Sequence, residues 1–312
     1  MRRRQSLSAI VLIAGTTLAA QQPPATPPTP PPQVFRSGVD LVSLNVTVTD
    51  TQNHYLTDLE QTDFTVLEDG AKQELLYFSK SNLPIALSLL IDTSASMEER
   101  LLVAQNAAVG FAQRIREQDL AQVIDFDSRV EIVQGFTADK AALEAAIRGT
   151  SSGGSTSLYN AIYIALRELK KVRTTKQEGL RRDAIILLSD GEDTTSLVSF
   201  EEVMELAKRS ETAIYTIGLQ PREPAFVKGF REAEFVLRQL AQETGGRAFF
   251  VQKAEELTGV YGQIADELSS QYSLGYSPKN PKRDGAWRKV AVQVARPSAV
   301  TRTRRGYYGP AR

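Results

Sequence analysis

Three short stretches of this sequence bring together carboxylates and hydroxyls of the kind that hold hard cations. The first is Asp92-Thr93-Ser94-Ala95-Ser96, which ends an apolar run over residues 85–91. The second is Thr156 in Gly153-Gly154-Ser155-Thr156, and the third is Asp190 in Leu187-Leu188-Ser189-Asp190-Gly191. Asp, Ser and Thr oxygens suit Mg²⁺ better than soft metals. Taken singly, each stretch has a plainer reading. Ser96-Met97-Glu98-Glu99 reads as a capping box, with Ser96 as N-cap and Glu99 at the third helical position. Thr156 reads as an N-cap for a helix opening at Leu158, and Asp190-Gly191 as a turn. Glu192 and Asp193, just beyond, read either as acids tuning the site or as solvated loop residues.

What joins the three stretches is where the chain must place them. An apolar run bounded by polar residues reads as a buried central strand. In open α/β sheets, ligands sit beyond the carboxyl ends of the strands. Residues 85–91 and 184–188 both run into an aspartate, so if these strands are parallel both carboxylates share one rim. The glycines before Thr156 permit close backbone approach. From Pro84 the pattern alternates strand and helix. Helices are predicted over residues 98–116, 140–147, from 158, 200–209, 232–243 and 256–269, and strands over 121–126, 130–133, 184–188, 213–219 and 247–251. This is an α/β fold: a doubly wound, mostly parallel sheet with helices on both faces. Strand-like segments flank it. Val42, Leu44, Val46 and Val48 alternate with polar residues, residues 64–70 run into an Asp-Gly turn, and Val290, Val292 and Val294 alternate again. These flanks either pair into one small β-sandwich or form two appendages.

Asp92-Thr93-Ser94-Ala95-Ser96, Gly154-Ser155-Thr156 and Asp190-Gly191, in that order on alternating strands, resemble the metal-ion-dependent adhesion site of von Willebrand factor A domains. The flanks resemble a bacterial subgroup of exported proteins with such domains, through residues 39–42, 63–70 and 305–307. The resemblance implies a Rossmann-like fold and a bound Mg²⁺ or Mn²⁺. It assigns Asp92, Ser94, Ser96, Thr156 and Asp190 to the metal site, with Ser94, Ser96 and Thr156 as hydroxyl ligands. Asp92 and Asp190 would act through water or hydrogen bonds. It also implies a protein partner that offers an Asp or Glu to the ion.

Composition narrows the alternatives. The 312-residue chain has a formal net charge of zero, no cysteine and a single histidine. Disulfides, thiolate zinc sites and cysteine nucleophiles therefore have no material, and a histidine-based triad has little. His54 reads as a solvated turn residue. The tail from Gln271 is rich in Lys and Arg with one acid, Asp284, and reads as a solvated strand face. No nucleic-acid partner is expected. Arg2 to Arg4, an apolar stretch over residues 9–18 and small residues at 19 and 20 form an export signal too short for an ordinary spanning helix. The expected organisation is a signal at 1–20, a proline-rich linker at 21–33, a β segment at 34–82, the α/β domain at 83–270 and a closing β segment at 271–312. No stable membrane span is expected after signal cleavage. The location is secreted or periplasmic, with an N-terminal tether as the variant if the signal is retained. The leading function is a metal-dependent, adhesion-type interaction module with no enzymatic activity. The alternatives are an envelope scaffold with a purely structural metal and a metal-dependent hydrolase.

Overall fold

The structure, a computed structural model, describes residues 41–80, 83–175, 181–190, 192–220 and 227–311. The predicted export signal, the linker and Gly191 lie outside the described residues.

Four strands come first: β1 (Val42–Thr49), β2 (Phe64–Glu68), β3 (Ala71–Gln73) and β4 (Leu75–Lys80). The alternating segment follows as β5 (Ile85–Asp92), α1 (Leu101–Ala112), β6 (Leu120–Phe126), β7 (Val130–Thr137), α2 (Lys140–Arg148), α3 (Leu158–Thr175), β8 (Arg182–Ser189), α4 (Phe200–Ser210), β9 (Ala213–Leu219), α5 (Val227–Thr244), β10 (Ala248–Val251) and α6 (Leu257–Ser270). The chain closes with β11 (Tyr272–Tyr276), β12 (Trp287–Val294), β13 (Val300–Arg302) and β14 (Gly306–Tyr308).

The central sheet has the order β10-β9-β8-β5-β6-β7, parallel except for the antiparallel edge strand β7. Every residue of β5 and β8 is buried, as expected of central strands covered on both sides. Leu87, Leu89 and Ile91 pack on one face with Ala104, Ala108 and Ile264 of α1 and α6. Ala86 and Leu90 pack on the other with Ile162, Leu166 and Val203 of α3 and α4. Helix starts follow local chemistry. Asp139 caps α2 by accepting from the Ala141 and Ala142 amides, and Ser199 with Glu202 forms a capping box on α4.

The two flanks form one β-sandwich. Its antiparallel sheets, β13-β1-β11-β4 and β14-β12-β2-β3, each mix strands from before and after the α/β segment. Leu44, Val46, Phe64, Val66, Leu274 and Val292 share a single apolar core. The last stretch of the chain forms two short strands, β13 and β14, in different sheets.

A buried polar cluster joins the sandwich to the sheet. Glu267 of α6 is fully buried and accepts from Thr47 of β1 at 3.2 Å and from Tyr215 of β9 at 2.8 Å. It also pairs with Arg302 of β13. Lys279, Lys282, Arg283, Lys289 and Arg305 form the expected solvated basic face, but Arg288 and Arg304 depart from it: they are 2% and 7% exposed and point into polar networks. No helix among the described residues is long and apolar enough to cross a membrane.

Candidate cation site

β5 and β8 are adjacent and parallel, so Asp92 and Asp190 emerge on the same rim. Asp92 is fully buried. Its Oδ1 accepts the Ser94 amide at 2.9 Å and its Oδ2 accepts the Ser189 hydroxyl at 2.6 Å. Both carboxylate oxygens are thus engaged by the two strand ends. Beyond Asp92 the chain makes a tight turn over Ala95–Met97 before α1 begins at Leu101. The turn directs Ser94 Oγ and Ser96 Oγ to within 3.1 Å of each other. Ser96 Oγ donates to Asp190 Oδ1 at 2.7 Å, which ties the first stretch to the third.

The expected capping box at Ser96 and Glu99 does not form. The residue preceding α1 is Arg100, with no side-chain cap, and Ser96 is spent on Asp190. A carboxylate across the rim competes successfully with backbone amides for the same hydroxyl.

The loop carrying Thr156 is pinned to the first stretch by two backbone bonds. Gly153 N–H donates to Thr93 O at 2.7 Å, and Ala95 N–H donates to Gly154 O at 3.1 Å. Gly154 has φ +71°, and a Cβ there would run into Ser128 Oγ and Asp127 Oδ2. The turn and the crowding both require glycine. Thr156 is 6% exposed; its amide donates to Thr194 Oγ1 at 2.9 Å and its carbonyl accepts from Thr194 and Thr195. Its hydroxyl takes no hydrogen-bond partner among the described residues. The position before α3 belongs to Ser157, so Thr156 is not the cap.

Sequence reasoning missed two contributors. Arg100 is 8% exposed and reaches Asp190 Oδ2 at 3.4 Å, which places a cation beside the rim. Asp193 is not a free loop acid. It accepts from the Tyr159 amide at 3.1 Å and from the Ser196 amide at 3.2 Å, and so fixes the loop after β8. An aspartate three residues ahead of a serine was the available signal for this turn.

The three loops therefore converge, with Asp92, Ser94, Ser96, Thr156 and Asp190 along one edge. No group of three or more His, Cys, Asp or Glu able to hold a metal occurs among the described residues. The donor set is instead two carboxylates and three hydroxyls, all hard oxygens. It suits a hard cation such as Mg²⁺. Asp190 orients the Ser96 hydroxyl through a hydrogen bond, and Asp92 holds the turn through the Ser94 amide, the kind of support found around a metal's direct ligands.

Burial pushes the Asp92 carboxyl up to about 6, against hydrogen bonds from Ser189 and Ser94 that hold it down. Burial likewise raises Asp190. With cations removed by chelator, the folded chain holds the Asp92 proton more tightly than the unfolded chain does. Stability from this group is then present in acid and lost as pH rises from about 4 to about 6, by on the order of 3 kcal/mol. Asp92→Asn removes this dependence. Urea titrations of both chains in EDTA at pH 4.5 and 7 should show the variant gaining relative to wild type at pH 7. A gap that does not change with pH would refute the assignment.

The model of the von Willebrand factor type A domain matches residues 87–263. An uncharacterised protein of Synechocystis sp. is 26% identical over 195 residues, covering 60% of this chain and 42% of its own length. One from Borreliella burgdorferi is 24% identical over 217 residues, covering 66% of this chain and 60% of its own. The chain thus spans less than two thirds of either relative. Among solved structures, a von Willebrand factor type A protein from Catenulispora acidiphila has the same fold, with a TM-score of 0.51 at 10% identity, covering 89% of this chain and 75% of that one. The vWF domain of a type V pili tip protein from Porphyromonas gingivalis gives a TM-score of 0.48 at 15% identity over 59% of this chain and 94% of that one. With more than half its length matched by the family model, the chain belongs to the von Willebrand factor type A domain family.

Proposed function

We propose that this chain is an exported, metal-dependent protein-interaction module. The observation that carries the reading is the convergence of Ser94, Ser96 and Thr156 with two oriented carboxylates on one rim. Ser94, Ser96 and Thr156 would hold Mg²⁺ or Mn²⁺ through their hydroxyls, and Asp92 and Asp190 would act through hydrogen bonds and water. When bound, the ion would supply a Lewis-acid position that attracts a partner's Asp or Glu carboxylate. Neutral hydroxyl ligands favour this, because they leave more of the ion's charge uncompensated than direct carboxylates would. Arg100 works in the same direction, since it already takes up charge from Asp190. The export signal and linker read from residues 1–33 would place this rim outside the cytoplasmic membrane.

A pulldown from envelope extract tests the reading, using wild type and Asp92→Ala, each with Mg²⁺ or EDTA. The expected result is a partner captured only by wild type with Mg²⁺. Identical captures in all four lanes would remove the proposal. Stabilisation by Mg²⁺ without any metal-dependent capture would favour the scaffold reading instead.

A further inference from the structure

β8 carries Asp190 beyond one end and Arg182 at the other, eight residues or about 25 Å away. At the Arg182 end, where the central sheet meets the sandwich, lies a cavity of about 140 Å³. Arg173, Arg181, Arg182 and Arg304 line it, together with the carboxylates of Asp183 and Glu211.

Those two carboxylates are already engaged. Arg173 Nε donates to Asp183 Oδ2 at 3.0 Å, and Arg304 Nη2 donates to Glu211 Oε1 at 3.0 Å. Arg181 and Arg182 are left with neutral acceptors. Arg181 Nη1 reaches Gln118 O at 3.1 Å, and Arg182 Nη1 reaches Leu268 O at 2.8 Å and Gln271 Oε1 at 3.1 Å. Among the described residues neither has a carboxylate within ion-pair distance. Arg182 is only 4% exposed. Burial, and then the nearby Arg116, bring it down to about 10. Among the described residues, the buried Nε of Arg181, Arg182 and Arg304 and Nη1 of Arg304 have no acceptor. Asp119 and Asp183 act on Arg182 and Arg181 only at longer range, and a buried guanidinium without a direct carboxylate partner is unfavourable. A ligand suited to this basic lining is anionic and rich in acceptors.

We propose that this cavity binds a small tetrahedral oxyanion, a phosphate or sulfate group, against Arg181, Arg182 and Arg304. Guanidinium forks match such oxygens in pairs, and two positive charges remain after the internal pairings. The volume is close to that of an engineered cavity of about 150 Å³ that accepts benzene, which is room for one such group. The site is independent of the cation rim, and binding there ties the sheet more firmly to the sandwich.

Calorimetric titration of the full chain in EDTA with inorganic phosphate tests this, with NaCl of matched ionic strength as control. Saturable heat and a rising Tm with phosphate but not with NaCl are expected. Arg181→Gln, at the less buried wall, should weaken phosphate binding about tenfold and leave the phosphate-free Tm nearly unchanged. Arg182→Met should abolish the phosphate shift and raise the phosphate-free Tm, because it removes the uncompensated charge. Glycerol 3-phosphate matching inorganic phosphate would mark an esterified source, and inorganic phosphate acting alone would mark the free ion. A response equal to that in NaCl, or an unaltered response in Arg181→Gln, would overturn the proposal.

Discussion

Glu68→Leu lowers the unfolding free energy by roughly 3–5 kcal/mol, the usual result of removing one partner from a buried ion pair. Glu68 ends β2 and Arg288 lies near the start of β12; both are 2% exposed. Glu68 Oε2 accepts the Tyr276 hydroxyl at 2.9 Å and the Tyr307 hydroxyl at 2.8 Å, and Oε1 lies 3.4 Å from Arg288 Nη1. Arg288 Nη1 also donates to Asn280 O at 3.1 Å. Without the carboxylate, Arg288 stays charged in the sandwich core and two tyrosine hydroxyls lose their acceptor. The double variant Glu68→Leu/Arg288→Met should recover most of the loss, since it removes the charge as well. Urea unfolding of the three chains checks both statements. A single-variant loss below about 1 kcal/mol would mean that the pair is effectively solvated.

At the rim, Asp190→Ala is expected to weaken the proposed Mg²⁺ binding by about 10- to 100-fold, the range for losing a group that orients a metal's ligands. Asp190 holds the Ser96 hydroxyl through Oδ1 and neutralises Arg100 through Oδ2. Its removal frees Ser96 to rotate and leaves a guanidinium facing the place where a cation would sit. Competition against a fluorescent Mg²⁺ chelator measures the change. An effect below about threefold would separate Asp190 from the site.

Much of this was legible in the sequence because β5 and β8 are continuous apolar runs ending in aspartate. Central parallel strands leave no other pattern, and parallel pairing then fixes the rim. Ser96 was ambiguous because the same hydroxyl can serve a helix start or a distant carboxylate, and only the β5–β8 pairing decides between them. The Glu68–Arg288 pair carried an unread signal. Glu68 has the same parity as Phe64 and Val66, and Arg288 the same parity as Val290 and Val292, so both point into the sandwich. Reading the tail by charge alone hid this. Arg100, Arg182 and Glu267 were not legible, because their partners lie 90, 89 and 220 residues away and no local period encodes such distances.

Mn²⁺ titrated into the chelator-stripped chain, with free ion followed by its EPR signal, tests whether the rim is a hydroxyl-built cation site. One tightly held ion per chain is expected for wild type, and none for Ser94→Ala/Ser96→Ala at an unchanged far-UV CD spectrum. Absence of binding in wild type, or equal binding in the double variant, would contradict it.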